Sequence, residues 1–285
     1  MTEALTIRSL TTTTELEDVR ALESRVWGEE EATPVHQTLT AVKNGGLVLG
    51  AFLDEKLIGF QYSFPGFDGN CVYLCSHILA VDPAYRSMGI GAKLKHAQRQ
   101  ESKKKGYSYI SWTYDPLESA NGYLNIGKLG AVCSTYIENC YGDMNDPLNA
   151  DLPSDRFVVE WASAEDTTRA QPLYTPDQIM EASLTQWTLT DEGFPSVTNI
   201  DEGFPSVTNI DEKLLNDEVV AVAIPSAFQQ MKEVSPSLAL DWRMRTRYVF
   251  QTCFAKGFQV TGFMKHPESS APVHFYILTK KEVQK

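Results

Sequence analysis

Arg86-Ser-Met-Gly89-Ile-Gly91 is the stretch of this chain whose residue types and spacing are best suited to hold an anion. An apolar run precedes it and helical spacing follows, so it stands where a strand turns into a helix. The first amides of a helix lack intrahelical partners, and the dipole adds positive potential there. A phosphate group can bind such an end through backbone N–H groups. Gly89 and Gly91 let the backbone approach a ligand closely and take positive φ where needed. A turn without a ligand is the competing reading. The Lys-Ser/Thr ending of a nucleotide P-loop is missing, and so is the glycine order of a dinucleotide fingerprint.

Other residues could move protons or hold carboxylates. His77 lies four residues before Val81 on the apolar run, and imidazole accepts a proton near neutral pH. A core histidine bonded to a nearby carbonyl explains it equally well. Ser76 faces the opposite way and reads as structural. Arg156, Arg243 and Arg247 could clamp a carboxylate, because the guanidinium fork binds it bidentately. Internal acids would answer the same arginines. Trp27, Phe60, Tyr62 and Phe64 suit an apolar substrate portion or plain core packing.

The surrounding pattern supplies the elements that must position these groups. Cys71 to Val81 is almost continuously apolar, as a strand buried on both faces should be. Ile90, Leu94 and Ala97 recur at helical spacing, giving a helix over 89–105 with a basic end at Lys103–Lys105. Upstream, a strand spans Thr6 to Leu10. Capping-box spacings at Thr12–Glu17 start a helix lined by Leu16, Val19, Leu22 and Val26. A short helix covers His36 to Lys43, and strands at 47–53 and 57–64 form a hairpin. A strand at 107–114, a helix from Ser119 to Lys128 closed by Gly130, and a strand at 157–161 follow.

Three regions result. Residues 1–165 read as an alternating α/β domain. Residues 166–215 read as a loop or linker, in which Asp191–Ile200 is repeated unchanged as Asp201–Ile210. Two copies are too few for a solenoid. Residues 216–285 read as a smaller α/β unit with a strand at 219–224, a short helix from Ser226, a long helix at 237–256, and strands at 259–264 and 273–279. The long helix is apolar nearly all round, with Leu238, Trp242 and Val249 on one side and Leu240, Phe250 and Phe254 on another. Burial between layers is the expectation.

Composition narrows the functional classes. The 285 residues are 42% hydrophobic and 22% charged, ordinary for a soluble globular protein. The formal charge of −12 disfavours nucleic acid as a partner, since phosphate-backbone binding depends on Lys and Arg. No run approaches the length needed to cross a bilayer, and no secretory signal is seen, so a membrane partner is not expected. Five scattered cysteines form no C-x-x-C pair, so neither a disulfide framework nor a zinc site is expected. A reduced cytoplasm is the expected setting.

The strand, the R-x-x-G-x-G turn and the helix behind it resemble the acyl-CoA binding core of the GNAT N-acetyltransferase superfamily. The order of elements across 4–165 is similar to the family's. The segment Trp112–Leu117, Asn121, Asn125, Lys128-Leu-Gly130, Tyr141–Met144, Asn149, Leu152–Arg156 and Glu160-Trp161 resembles a bacterial group of predicted acetyltransferases. Some members of that group resemble amino-acid N-succinyltransferases. The C-terminal region is similar to half a GNAT domain without a phosphate turn. The fold implied is α/β (α+β): a mixed central sheet flanked by helices, with an α/β extension.

The resemblance also implies roles. Leu79, Ala80 and Val81 would bond the pantetheine of acetyl-CoA or another acyl-CoA, like an added strand. The amides of Arg86, Ser87, Met88, Gly89, Ile90, Gly91 and Ala92 would hold the pyrophosphate, with the Arg86 side chain adding charge. His77 matches a histidine of arylalkylamine N-acetyltransferases and would act as base. The family's acid is a tyrosine that Ile126 replaces here, leaving Tyr123, Tyr114 or water as donors to the thiolate. The implied activity is N-acyl transfer, acetyl or succinyl, to the amine of a small metabolite, an amino acid included, with no metal. A coenzyme-A-binding regulatory or scaffold protein without catalysis is the alternative. The sequence leaves the oligomeric state open, a dimer included.

Overall fold

A computed structural model describes residues 5–142, 152–164, 174–198, 216–268 and 270–281. Asp143, Met144 and Asn149 of the subfamily segment lie outside these residues, as do the second repeat copy and the end of the first. By compactness the chain divides into one unit of residues 1–112 and 160–166 and another of 113–159 and 167–285.

The first unit is built on strands in the order β1 (Leu5–Ser9), β2 (Leu47–Leu53), β3 (Lys56–Phe67), β4 (Val72–Val81) and β5 (Tyr109–Tyr114), the last ending beyond its boundary. Neighbours among the first four are antiparallel, whereas β4 and β5 run parallel, so the sheet is mixed as expected. Helix α1 (Thr13–Trp27) starts with the expected capping box: Thr12 accepts from the Glu15 amide, and Glu15 reaches back to the Thr12 amide. It buries Leu16, Val19 and Leu22 with Val48, Phe60 and Tyr62 from the sheet, and Val35 and Leu39 of α2 (Val35–Lys43) join that core. Phe60 and Tyr62 are therefore core residues, while Trp27 stands about half exposed at the helix end.

Strand β4 departs from expectation. It is not buried on both faces: Leu74, Ser76 and Ala80 are buried, whereas His77 is exposed. The cause is a β-bulge. Tyr62 pairs with Ile78 and Ser63 with Ser76, so His77 is the extra residue of the ladder. A bulge re-aims the side chain it carries.

The second unit contains β6 (Val132–Ile137), β11 (Phe258–Lys265), β12 (Val273–Lys280) and β10 (Val219–Pro225) in that order, with β7 (Arg156–Ala162) beside β6 for the residues it shares with this unit. Sequence periodicity missed β6. The helix expected at 119–128 opens instead as one α-turn, α4 (Ser119–Gly122), and continues as a wide π-turn (Tyr123–Lys128). Leu129 N bonds Leu124 O at 2.9 Å, the i→i+5 pattern that defines such a turn.

Within the region expected to be linker, α5 (Pro176–Glu181) carries a capping box from Thr175. Strands β8 (Trp187–Leu189) and β9 (Pro195–Val197) pair as a hairpin, so the first repeat copy supplies a turn and a strand. Trp242 Nε1 donates to Pro195 O at 2.7 Å, which ties the hairpin to the core.

Helix α6 (Phe228–Val234) precedes α7 (Pro236–Ala255), which corrects a second expectation. Its buried stripe is Ala239, Trp242, Arg243, Thr246, Val249, Phe250 and Cys253, while Leu240 and Met244 are exposed. This is an ordinary one-sided helix whose apolar stripe includes an arginine.

Candidate functional site

Strand β4, the turn after it and helix α3 (Ile90–Lys104) carry the expected anion site, and all lie in the first unit. Ile90 and Leu94 anchor α3 in the core. A 3₁₀ turn at Pro83–Tyr85, capped by the Asp82 carboxylate on the Ala84 amide, reverses the chain after Val81. The Arg86 amide donates to Pro83 O at 3.4 Å, so it closes this turn. Beyond it Ser87 (φ 69°) and Gly89 (φ 72°) are both left-handed. For Ser87 that conformation carries a steric cost, which sequence reasoning did not signal. Gly91 has an ordinary φ, so its small size matters for approach rather than for the turn.

Gly89 is the N-cap of α3 and has no side chain to offer the helix. The first intrahelical bond runs from Lys93 N to Gly89 O, so the amides of Ile90, Gly91 and Ala92 have no helical acceptor. Arg86, Ser87, Met88 and Gly89 are exposed. Donors at a helix start, an exposed guanidinium and no capping side chain suit an anion.

The edge of β4 supplies the second part. Pairing with β5 holds at Leu74–Ile110 and Cys75–Ser111, and β4 runs on to Val81 with no further β5 partner among the described residues. On its other edge, Leu79, Ala80 and Val81 pair with Gln61, Phe60 and Gly59. The first edge can therefore accept an extended ligand as an added strand.

His77 stands on this stretch. Its ring lies 5.8 Å from Tyr62 and 5.4 Å from Phe64, both edge-on. Desolvation by this packing lowers its pKa below the ordinary imidazole value, which keeps it neutral and able to accept a proton at neutral pH. Ser76 points inward, as expected, and is buried.

The remaining candidates lie in the second unit. Tyr123 is half-buried, with Lys265 Nζ 4.2 Å and Lys128 Nζ 5.1 Å from its ring centroid. Tyr114 is buried and donates to Tyr276 at 3.2 Å; burial pushes its pKa well up, a poor setting for a proton donor in exchange with solvent. Ile126 is fully buried. Arg243 is ion-paired with Asp115, and Arg156 Nη1 lies 4.0 Å from the same carboxylate. Arg247 grips Asp155 bidentately at 2.8 Å and reaches Glu138 at 3.0 Å. Asp115 and Asp155 of the subfamily segment thus meet α7 in a polar cluster, with Arg156 beside Asp115.

Comparison with known proteins bears on the first unit. The Acetyltransferase (GNAT) family model matches residues 14–126. The matched residues are thus similar to a GNAT acetyltransferase domain. The match takes in nearly all of α1, the bulged β4, the turn after it and α3. Among solved structures, the chain resembles the ribosomal-protein-S18-alanine N-acetyltransferase of Escherichia coli at 20% identity, with 60% of this chain and 100% of that one covered and a TM-score of 0.46. A GNAT-family acetyltransferase of Streptococcus pneumoniae is similar at 15% identity (56% and 99% covered, TM-score 0.45). A mosquito arylalkylamine N-acetyltransferase like 5b is similar at 21% identity (56% and 100% covered, TM-score 0.44). No curated protein matches the chain. No helix among the described residues is long and apolar enough to cross a membrane.

The GNAT family takes acyl-CoA as donor, and the turn's groups fit its pyrophosphate: unpaired helix-start amides beside an exposed arginine.

Proposed function

We propose that this GNAT domain transfers an acyl group, acetyl or succinyl, from coenzyme A to the amine of a small metabolite, an amino acid included. The uncapped start of α3 beside the open edge of β4 carries the reading. The amides of Ser87 to Ala92 and the Arg86 guanidinium would hold the pyrophosphate, and Leu79 to Val81 the pantetheine. The amine nitrogen attacks the thioester carbon, and strand amides stabilise the oxyanion that forms. Collapse forms the amide and breaks the C–S bond, and the thiolate leaves. His77 takes the proton the nitrogen sheds. Tyr123 is proposed as donor to the thiolate. Arg156, Arg243 and Arg247 are proposed to recognise an acceptor carboxylate.

The test is release of free thiol from acetyl- and succinyl-CoA against a panel of amines. Transfer to an amino acid or similar amine is expected; coenzyme binding without thiol release for any amine would favour the regulatory alternative. A second measurement checks the base. A lowered His77 pKa means that its neutral form persists into mildly acidic solution. Expressed per concentration of unprotonated amine, log kcat/KM is expected to fall with unit slope only below the ordinary imidazole pKa, and His77→Ala to cost roughly 10²–10⁴ in rate and remove that limb.

A further inference from the structure

Behind the bulge lies a lysine that anion binding does not use. Lys95 is on the inner side of α3 and only 3% exposed. Its Nζ donates to Ser76 Oγ at 2.7 Å and sits 3.5 Å from the centroid of the Trp112 ring. Gln61 Nε2 approaches the same Ser76 oxygen at 3.4 Å. Burial pushes the lysine pKa well below its ordinary value, so the amine is held at a cost in solvation that a methionine of similar length would not incur.

The register shows what this contact can select. Ser76 is paired with the fully buried Ser63, and His77 is the extra residue next to it. Sliding the bulge back by one residue would pair His77 with Ser63 and turn the imidazole to the inner face. In strands, a one-residue slip exchanges the two faces. A hydrogen bond that requires a hydroxyl on the inner face at position 76 opposes that slip. We propose that Lys95 is a positioning residue: through Ser76 it fixes the β4 bulge and so holds His77 on the opposite face from Ser76, beside Tyr62 and Phe64. This rests on the reading of His77 as base, but the placement of the ring can be measured without activity.

The experiment uses Lys95→Met and Ser76→Ala, with His77→Asn to assign the imidazole resonances. In the wild type the His77 ring protons carry ring-current shifts from Tyr62 and Phe64. Both variants are expected to move them toward unshifted positions, lower kcat roughly tenfold to a hundredfold, as small misplacements do, and leave the acetyl-CoA Kd unchanged. The double variant is expected to lose no more than the worse single one, because both remove one contact. Wild-type ring shifts in the variants would overturn the proposal, as would a fall in melting temperature and coenzyme affinity with unchanged kcat. Should Lys95→Met fail to fold, Ser76→Ala alone decides by the same readouts. If the wild type transfers no acyl group, the ring shifts still test the positioning while the catalytic reading fails separately.

Discussion

The turn before α3 and the arginine cluster on α7 are both rich in donors, but they treat them in opposite ways. On α7, Arg243 and Arg247 meet Asp115, Asp155 and Glu138 from the same unit. At the turn, Arg86 is exposed and the first helical amides have no helical acceptor. A guanidinium answered by an internal carboxylate contributes to folding first; a donor set left open to solvent is available to a ligand. Residue type alone does not separate these cases, and the arginines that looked most like clamps are the ones with internal acids.

The largest effect should fall on the cluster. Asp115→Ala leaves the Arg243 charge buried without its acid, which costs about 3–5 kcal/mol for a buried pair. Chemical denaturation is expected to read that loss with an unchanged acetyl-CoA Kd. A lost coenzyme site with normal stability would blur the distinction. Gly89→Ala places a side chain at φ 72°, a strain of roughly 1–2 kcal/mol. Because the free turn relieves this strain by leaving the binding geometry, acetyl-CoA binding must restore it, an expected loss of about tenfold at 1.4 kcal/mol per factor of ten; affinity equal to the wild type would remove the turn from the site. Arg86→Ala is the mildest, a few-fold loss that shrinks as salt is added, because the side chain is exposed. A salt-independent loss would argue against a charge contact.

The turn was legible because its signal is local: glycines, an arginine and a flanking change from strand to helix lie within a few residues. The capping box at Thr12 was legible for the same reason. The bulge was not, because it is a mismatch between β3 and β4, and Cys71–Val81 alone reads as uniformly apolar. The π-turn at Tyr123–Lys128 hid in a sequence that fits an ordinary helix equally well. On α7, a count of apolar residues suggested burial all round, while the whole Arg243 side chain, guanidinium included, occupies the inner stripe and Leu240 faces solvent. Capping in α5 had a Thr175–Gln178 signature, overshadowed by the repeat that follows it.

Calorimetric titration of the wild type and an Arg86→Ala/Gly89→Ala double variant with acetyl-CoA and with acetylpantetheine, which lacks the pyrophosphate, tests the central claim most directly. Binding of acetyl-CoA to the wild type is expected at one site, with a loss of more than about tenfold in the double variant. Acetylpantetheine is expected to bind both proteins weakly and equally. Equal acetyl-CoA affinity in the two proteins, or none in the wild type, would contradict the account.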